Sequence, residues 1–178
     1  SEGVSFLLKK NKVDVVYGEG RLSGIGRVIV SNKDKKNILY EAPNIILATG
    51  ARPAIIKGLK PDNKNIWTYK DAMIPKILPK SLLVIGAGAI GAEFSSFYND
   101  FGVDVTLVEF KDNILPMEDI EISSFVKEEF IKRGIKVLNN IKVTQLNSVK
   151  NSVKARLELP DGNYEEKSYS KAIVAIGI

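Results

Sequence analysis

The sequence predicts an α/β fold built on a parallel sheet, and three observations carry that reading. From Ser81 onward, short apolar runs alternate with segments of helical periodicity. A glycine-rich loop, Gly86-Ala87-Gly88-Ala89-Ile90-Gly91, joins the first such run to the first such helix. An acidic residue, Glu109, ends the next run. Bulk properties agree: of 178 residues, 44% are hydrophobic and 26% charged, a globular balance that excludes a disordered tail.

Composition removes several chemistries. With no cysteine and no histidine, the chain offers no disulfide framework, thiolate nucleophile or histidine base, and no zinc site built from those residues. No catalytic residue and no metal ligand set is expected within it. No apolar run is long enough to span a bilayer, and the N-terminus lacks a signal-peptide pattern. The net charge is +5, from 26 Lys plus Arg against 21 Asp plus Glu. The cations are mostly lysines mixed with acids rather than blocks, which suits a solvated surface, so neither nucleic acid nor membrane is expected as a partner.

The elements follow in order. Val4, Phe6, Leu7 and Leu8 before Lys9-Lys10 read as the tail of a helix. Val13–Tyr17, Arg27–Val30 and Asn37–Tyr40 are β-like runs separated by glycines and by Asn32–Lys36, as in an antiparallel meander. Asn44–Thr49 is an apolar run ending at Gly50, expected as a strand buried on both faces. Residues 51–80 change character, with prolines recurring and Lys57–Lys70 polar apart from residues such as Ile66 and Trp67; they are expected as a connection between two units, with 64–79 as the linker and a helical turn near Asp71–Ile74.

Leu82–Ile85 is then the first strand of the alternating region. Ile90, Phe94, Phe97, Tyr98 and Phe101 recur on one face of a helix stopped by Gly102. Val103–Val108 is the next strand. Asp119 caps a second helix whose inward face is expected to carry Ile122, Phe125, Val126 and Phe130, closed by Gly134. Ile135–Leu138 is a third strand, residues 141–169 a meander turning at Pro160-Asp161-Gly162, and Ala172–Ile176 a last strand ending at Gly177.

The glycine loop carries the chemistry. In a strand–loop–helix context, Gly86 permits the tight turn, Gly88 lets backbone approach a pyrophosphate, and Gly91 lets the helix pack against the strand. The diphosphate then lies at the helix N-terminus, where unpaired N–H groups and the dipole favour an anion. A carboxylate at Glu109 accepts hydrogen bonds from adenosine ribose hydroxyls and repels a 2′-phosphate, favouring NAD or FAD over NADP. The reading is thus a Rossmann-like domain. Glu93 stays open between a helix-dipole role and one facing a redox cofactor.

Several segments resemble the dihydrolipoamide dehydrogenase branch of the FAD-dependent disulfide oxidoreductases. They are Pro79-Lys-Ser-Leu-Leu-Val-Ile-Gly-Ala-Gly-Ala-Ile-Gly-Ala-Glu-Phe94, Val108-Glu-Phe110, Ile114-Leu-Pro-Met-Glu-Asp119 and Ala48-Thr-Gly-Ala-Arg-Pro53. The resemblance covers the whole chain. It implies a central piece of a longer enzyme: 1–63 as the end of an FAD-binding domain, then the 64–79 linker, then 80–178 as the NAD-binding domain. It further implies that Gly86, Ala87, Gly88, Ala89, Ile90, Gly91, Ala92 and Glu93 bind NAD, with Glu109 on the ribose, Val143 on the adenine side and Gly177 by the nicotinamide. Gly20, Thr49, Gly50 and Ala51 would touch FAD, and Glu93 would lie near the flavin.

Dihydrolipoamide as substrate, a homodimer, and association with a 2-oxoacid dehydrogenase complex follow from the same resemblance. So does a cytoplasmic or, in a eukaryote, mitochondrial matrix location. Alanine at position 89, where several relatives carry a gating tyrosine, argues against the glutathione reductase-like members. Mercuric reductase, NADH oxidase and transhydrogenase relatives remain open, as does a non-enzymatic nucleotide sensor. The piece alone is expected to be inactive.

Overall fold

A strand forms only where a neighbour takes its backbone hydrogen bonds, and that rule divides this chain. The computed structural model describes residues 1–34 and 36–177, which fall into two compact units, Ser1–Gly50 and Ala51–Ile178.

In the first unit, helix α1 (Glu2–Lys10) has Glu2 in its first turn and Lys9 and Lys10 in its last, each complementing the macrodipole. Strands β1 (Glu19–Leu22), β2 (Arg27–Ser31) and β3 (Asn37–Glu41) make an antiparallel sheet in that order. Gly24 and Gly26 turn β1 into β2 with φ of 108° and 69°. Two expectations fail here. Val13–Tyr17 is not a strand; the meander's first strand is β1, whose Gly20 lies opposite Val30. Asn44–Thr49 is not a buried strand either: it has no ladder partner among the described residues, and Ile46 is 91% exposed. Apolar content alone does not make a strand; a partner must take its backbone hydrogen bonds.

The second unit is three layers. Its parallel sheet runs β4-β11-β5-β6-β7, from β4 (Ile66–Trp67), β11 (Lys171–Val174), β5 (Ser81–Ile85), β6 (Asp104–Val108) and β7 (Lys136–Leu138). A meander of β8 (Lys142–Val149), β9 (Ser152–Glu158) and β10 (Tyr164–Tyr169) covers one face. Helices α3 (Ala89–Asp100) and α4 (Ile120–Lys132) cover the other, with the short α2 (Tyr69–Met73) beside α3. Alternation along β5 sorts the core: Leu83 and Ile85 meet Leu146, Val153 and Leu157, while Leu82 and Val84 meet Tyr98, Leu107 and Phe130.

Residues 64–79, expected as a linker, carry β4 and α2 and belong to this unit. The polar groups in this segment and just before it are hydrogen-bonded locally: Thr68 and Asp71 form a capping box at the start of α2, and Asp62 gathers the backbone ahead of β4. Burial pushes Asp62 upward, but the N–H groups of Ile66, Lys64 and Asn65 and the Ser148 hydroxyl outweigh it and hold its carboxyl below the ordinary value. Buried Asn65 donates to Ser148 and to the Lys150 carbonyl, and accepts from Lys171.

The inward faces of the helices also differ from expectation. In α3 the buried residues are Gly91, Ala92, Ser95 and Tyr98, whereas Phe97 and Phe101 are exposed. In α4 they are Ser123 and Phe130, whereas Ile122 and Phe125 are exposed. Small side chains let each helix lie close to the sheet, so bulk and burial part company. Among the described residues, no helix is long and apolar enough to cross a membrane.

Candidate functional site

The C-terminal ends of β5, β6 and β11 meet where the strand order reverses around β5, the place where open α/β sheets leave a crevice. The cleft there measures about 580 Å³. The glycine loop forms one wall, through Gly86, Gly88, Ala89 and Ile90. Glu109, Phe110 and Lys111 form a second, Ile141, Lys142 and Val143 a third, and Ala175, Ile176 and Gly177 close it. Ile56 and Leu59 add apolar surface.

The three glycines are required for different reasons. Gly86 has φ of 93°, and a Cβ there would lie 2.6 Å from the Ala175 carbonyl oxygen. Gly91 is in ordinary helix, but a Cβ on it would overlap the Gly86 carbonyl oxygen. Gly88 meets nothing within 4 Å, so its bare backbone faces open cleft. Gly88 is also the N-cap of α3 and offers no capping side chain. The N–H groups of the helix's first turn therefore lack an intrahelical acceptor and suit an anion.

Ala87 is fully buried and held on both sides. Its N–H donates to Glu109 Oε2 at 2.7 Å, and its carbonyl accepts from Leu115 N–H at 2.7 Å. Glu109 is 8% exposed, and its other oxygen, Oε1, accepts from Lys111 N–H at 2.9 Å. A buried carboxylate with two backbone donors is well satisfied and keeps lone pairs for a hydroxyl donor. Lys142, at the cleft wall, has its Nζ 3.9 Å from Glu158.

Among the residues expected to hold NAD, Gly86, Gly88, Ala89, Ile90, Glu109, Val143 and Gly177 line this cleft. Ala87, Gly91 and Ala92 are buried behind the loop and shape it. Glu93 is exposed and does not line the cleft; it borders a smaller hollow with Ala72, Met73, Phe94 and Phe97. It is also outside the first turn, since α3 begins at Ala89, so the first-turn dipole reading does not hold. Gly20, Thr49, Gly50 and Ala51 are exposed, and none of them lines the cleft. The residues present fit a dinucleotide: open space beside Gly88, a helix N-terminus and an accepting carboxylate stand around one cleft.

Sequence reasoning weighed Lys111 only for its charge beside Glu109, and passed over Phe110, Lys142, Ile56 and Leu59 as lining residues. Phe110 directly follows the acid after β6, so position alone could have found it. Ile56 and Leu59 lie in a segment without periodicity and gave no signal.

The pyridine nucleotide-disulphide oxidoreductase family matches residues 1–178 of the chain. A dihydrolipoyl dehydrogenase of Zymomonas mobilis is 45% identical over 178 residues, covering 100% of this chain and 38% of the relative. One of Rhizobium etli is 43% identical over 190 residues, covering 99% of this chain and 40% of the relative. Among solved structures, LpdA of Mycobacterium tuberculosis has a TM-score of 0.83 at 31% identity, covering 99% of this chain and 39% of its own. The chain thus spans about two-fifths of the length of the curated relatives it matches.

Proposed function

The chain belongs to the pyridine nucleotide-disulphide oxidoreductase family, and on that premise we propose that it is the NAD-binding part of a flavoenzyme that reoxidises dihydrolipoamide. Members of the family use FAD and NAD. The observation that carries the reading is the single cleft bordered by Gly88, the start of α3 and the Glu109 carboxylate. The nicotinamide nucleotide supplies the hydride-accepting chemistry when bound, and the protein supplies binding and orientation.

In this reading the first turn of α3 holds the diphosphate and Glu109 takes the adenosine ribose hydroxyls. Phe110, Ile141 and Val143 give the adenine an apolar wall, and Gly177 leaves room for the nicotinamide. Residues 51–178 form the NAD-binding domain, with 64–79 inside it as β4 and α2, and the residues up to Gly50 belong to an FAD-binding domain. In this reading Gly20 and Thr49–Ala51 are directed to FAD and Glu93 toward the flavin. The enzyme would be a homodimer serving a 2-oxoacid dehydrogenase complex. Because the chain holds no cysteine, it supplies no thiol, and by itself it should form no NADH from dihydrolipoamide.

Calorimetric titration with NAD⁺ and NADP⁺ in parallel tests the site. We expect NAD⁺ to bind at least tenfold more tightly, about 1.4 kcal/mol, because a 2′-phosphate would face a buried carboxylate. Equal affinity, or a preference for NADP⁺, would remove Glu109 from the ribose and defeat the reading.

A further inference from the structure

We propose that Glu109 is also a positioning residue for the diphosphate-binding loop, holding it in its binding shape before any nucleotide arrives. The proposal rests on the nucleotide reading above but adds a role that ribose contact does not contain. Glu109 Oε2 accepts the Ala87 N–H at 2.7 Å, and Leu115 N–H donates to the Ala87 carbonyl at 2.7 Å. Both peptide planes of Ala87 are therefore fixed from outside the loop. A trans peptide points its N–H opposite its carbonyl. With the Ala87 carbonyl turned to Leu115, the Gly88 N–H is aimed the other way, and nothing stands within 4 Å of where a Gly88 side chain would begin.

The chemistry of the contact singles out a carboxylate. Both partners of Glu109, the N–H groups of Ala87 and Lys111, are donors. Two acceptor oxygens match two donors. A glutamine of the same shape would turn its NH₂ toward one of those N–H groups and leave a buried donor facing a donor. The charge, not the volume, secures the loop, and the same carboxylate spends only part of its accepting capacity on it. Ribose recognition and loop shape thus share one group, and removing the charge should weaken binding of a nucleotide that has no ribose hydroxyls at all.

The test compares the unliganded 178-residue chain with Glu109→Gln by NMR. Because the amide keeps only one acceptor oxygen, at least one of the amide protons of Ala87 and Lys111 should move upfield as its hydrogen bond is lost. The amides of β8, β9 and β10 should keep their positions, which establishes that the domain is folded. ADP and 2′,3′-dideoxy-ADP are then titrated into both proteins. We expect the variant to lose at least tenfold in affinity for each. Dideoxy-ADP binding within twofold of the unsubstituted chain would overturn the proposal and leave Glu109 a ribose contact only. Amides of Ala87 and Lys111 that both keep their positions in the variant would also overturn it. If the unsubstituted chain bound neither nucleotide, the nucleotide reading of the cleft would fall, and this proposal with it.

Discussion

Gly88 and Gly91 stand three residues apart at the start of α3, yet a methyl group added to each meets different surroundings. At Gly91 it overlaps the Gly86 carbonyl oxygen, and backbone must move. At Gly88 it meets nothing within 4 Å, and φ of −69° is one that alanine adopts freely. We predict that Gly91→Ala destabilises the second unit by about 2–4 kcal/mol, a backbone-strain effect visible in urea unfolding. Gly88→Ala should cost no more than about 1 kcal/mol, since an N-cap glycine gives way to a poorer cap. On the proposed reading it should still lower NAD⁺ affinity at least tenfold, by filling the open space beside Gly88. If the two variants lost stability equally, the distinction between a packing glycine and a contact glycine would be wrong. Such glycines are legible in sequence because a backbone that tolerates no Cβ leaves its mark directly in composition. The Glu109–Ala87 bond was not legible: spacing puts the acid at a strand end but does not say which N–H its oxygens reach.

Helix α3 shows where element-level reading goes astray. Counting large apolar residues selects Phe97 and Phe101 for the core, but they are exposed and pack on each other with ring centroids 4.9 Å apart. The face that meets the sheet is Gly91, Ala92, Ser95 and Tyr98, with Ser95 Oγ donating to the Gly91 carbonyl at 2.7 Å. Strands β5, β6 and β11 were easier to read, because a strand buried on both faces is simply an unbroken apolar run. Tyr98 is the one large side chain on that helix face that is fully buried, and its hydroxyl donates to the Ala72 carbonyl at 2.7 Å, tying α3 to α2. Tyr98→Phe should cost about 1–3 kcal/mol by leaving that carbonyl unpaired. A pH dependence follows. Burial pushes the Tyr98 phenol up to about 12, whereas an unfolded chain's phenols titrate near about 10. The unfolded state therefore gives up its proton first, so this stabilisation is whole below about pH 10 and is lost as pH rises toward about 12. Denaturant midpoints of the two proteins should converge across that interval. A gap that stayed constant from pH 9 to 12 would exclude Tyr98 as the source.

At the scale of the whole molecule, the two units differ in what holds them. Both core clusters draw all their residues from Leu59 onward, and none of the described residues before Gly50 is buried. The first unit has a three-stranded sheet and one helix, whose Val4, Phe6 and Leu7 remain exposed. Such a sheet without a covered face is marginal in water, because little apolar area leaves solvent to offset the ordering entropy. The strands expected at Val13–Tyr17 and Asn44–Thr49 could not be checked against a pairing partner in sequence, which is why their apolar pattern misled. The second unit needs nothing from residues 1–50 to close its layers or its cleft, whose lining begins at Ile56. We therefore predict that residues 51–178, made alone, unfold within a few degrees of the second unit's transition in the longer chain. Their NAD⁺ affinity should stay within threefold. Hydrogen exchange on the full chain should show strong protection in β5, β6, β9 and β11 and little in β1, β2 and β3. Loss of NAD⁺ binding on truncation would mean that the cleft is completed from the first unit. Equal protection in both sheets would mean that the first unit buries a face against something else, and a second copy of the chain would be the first candidate, to be sought by sedimentation.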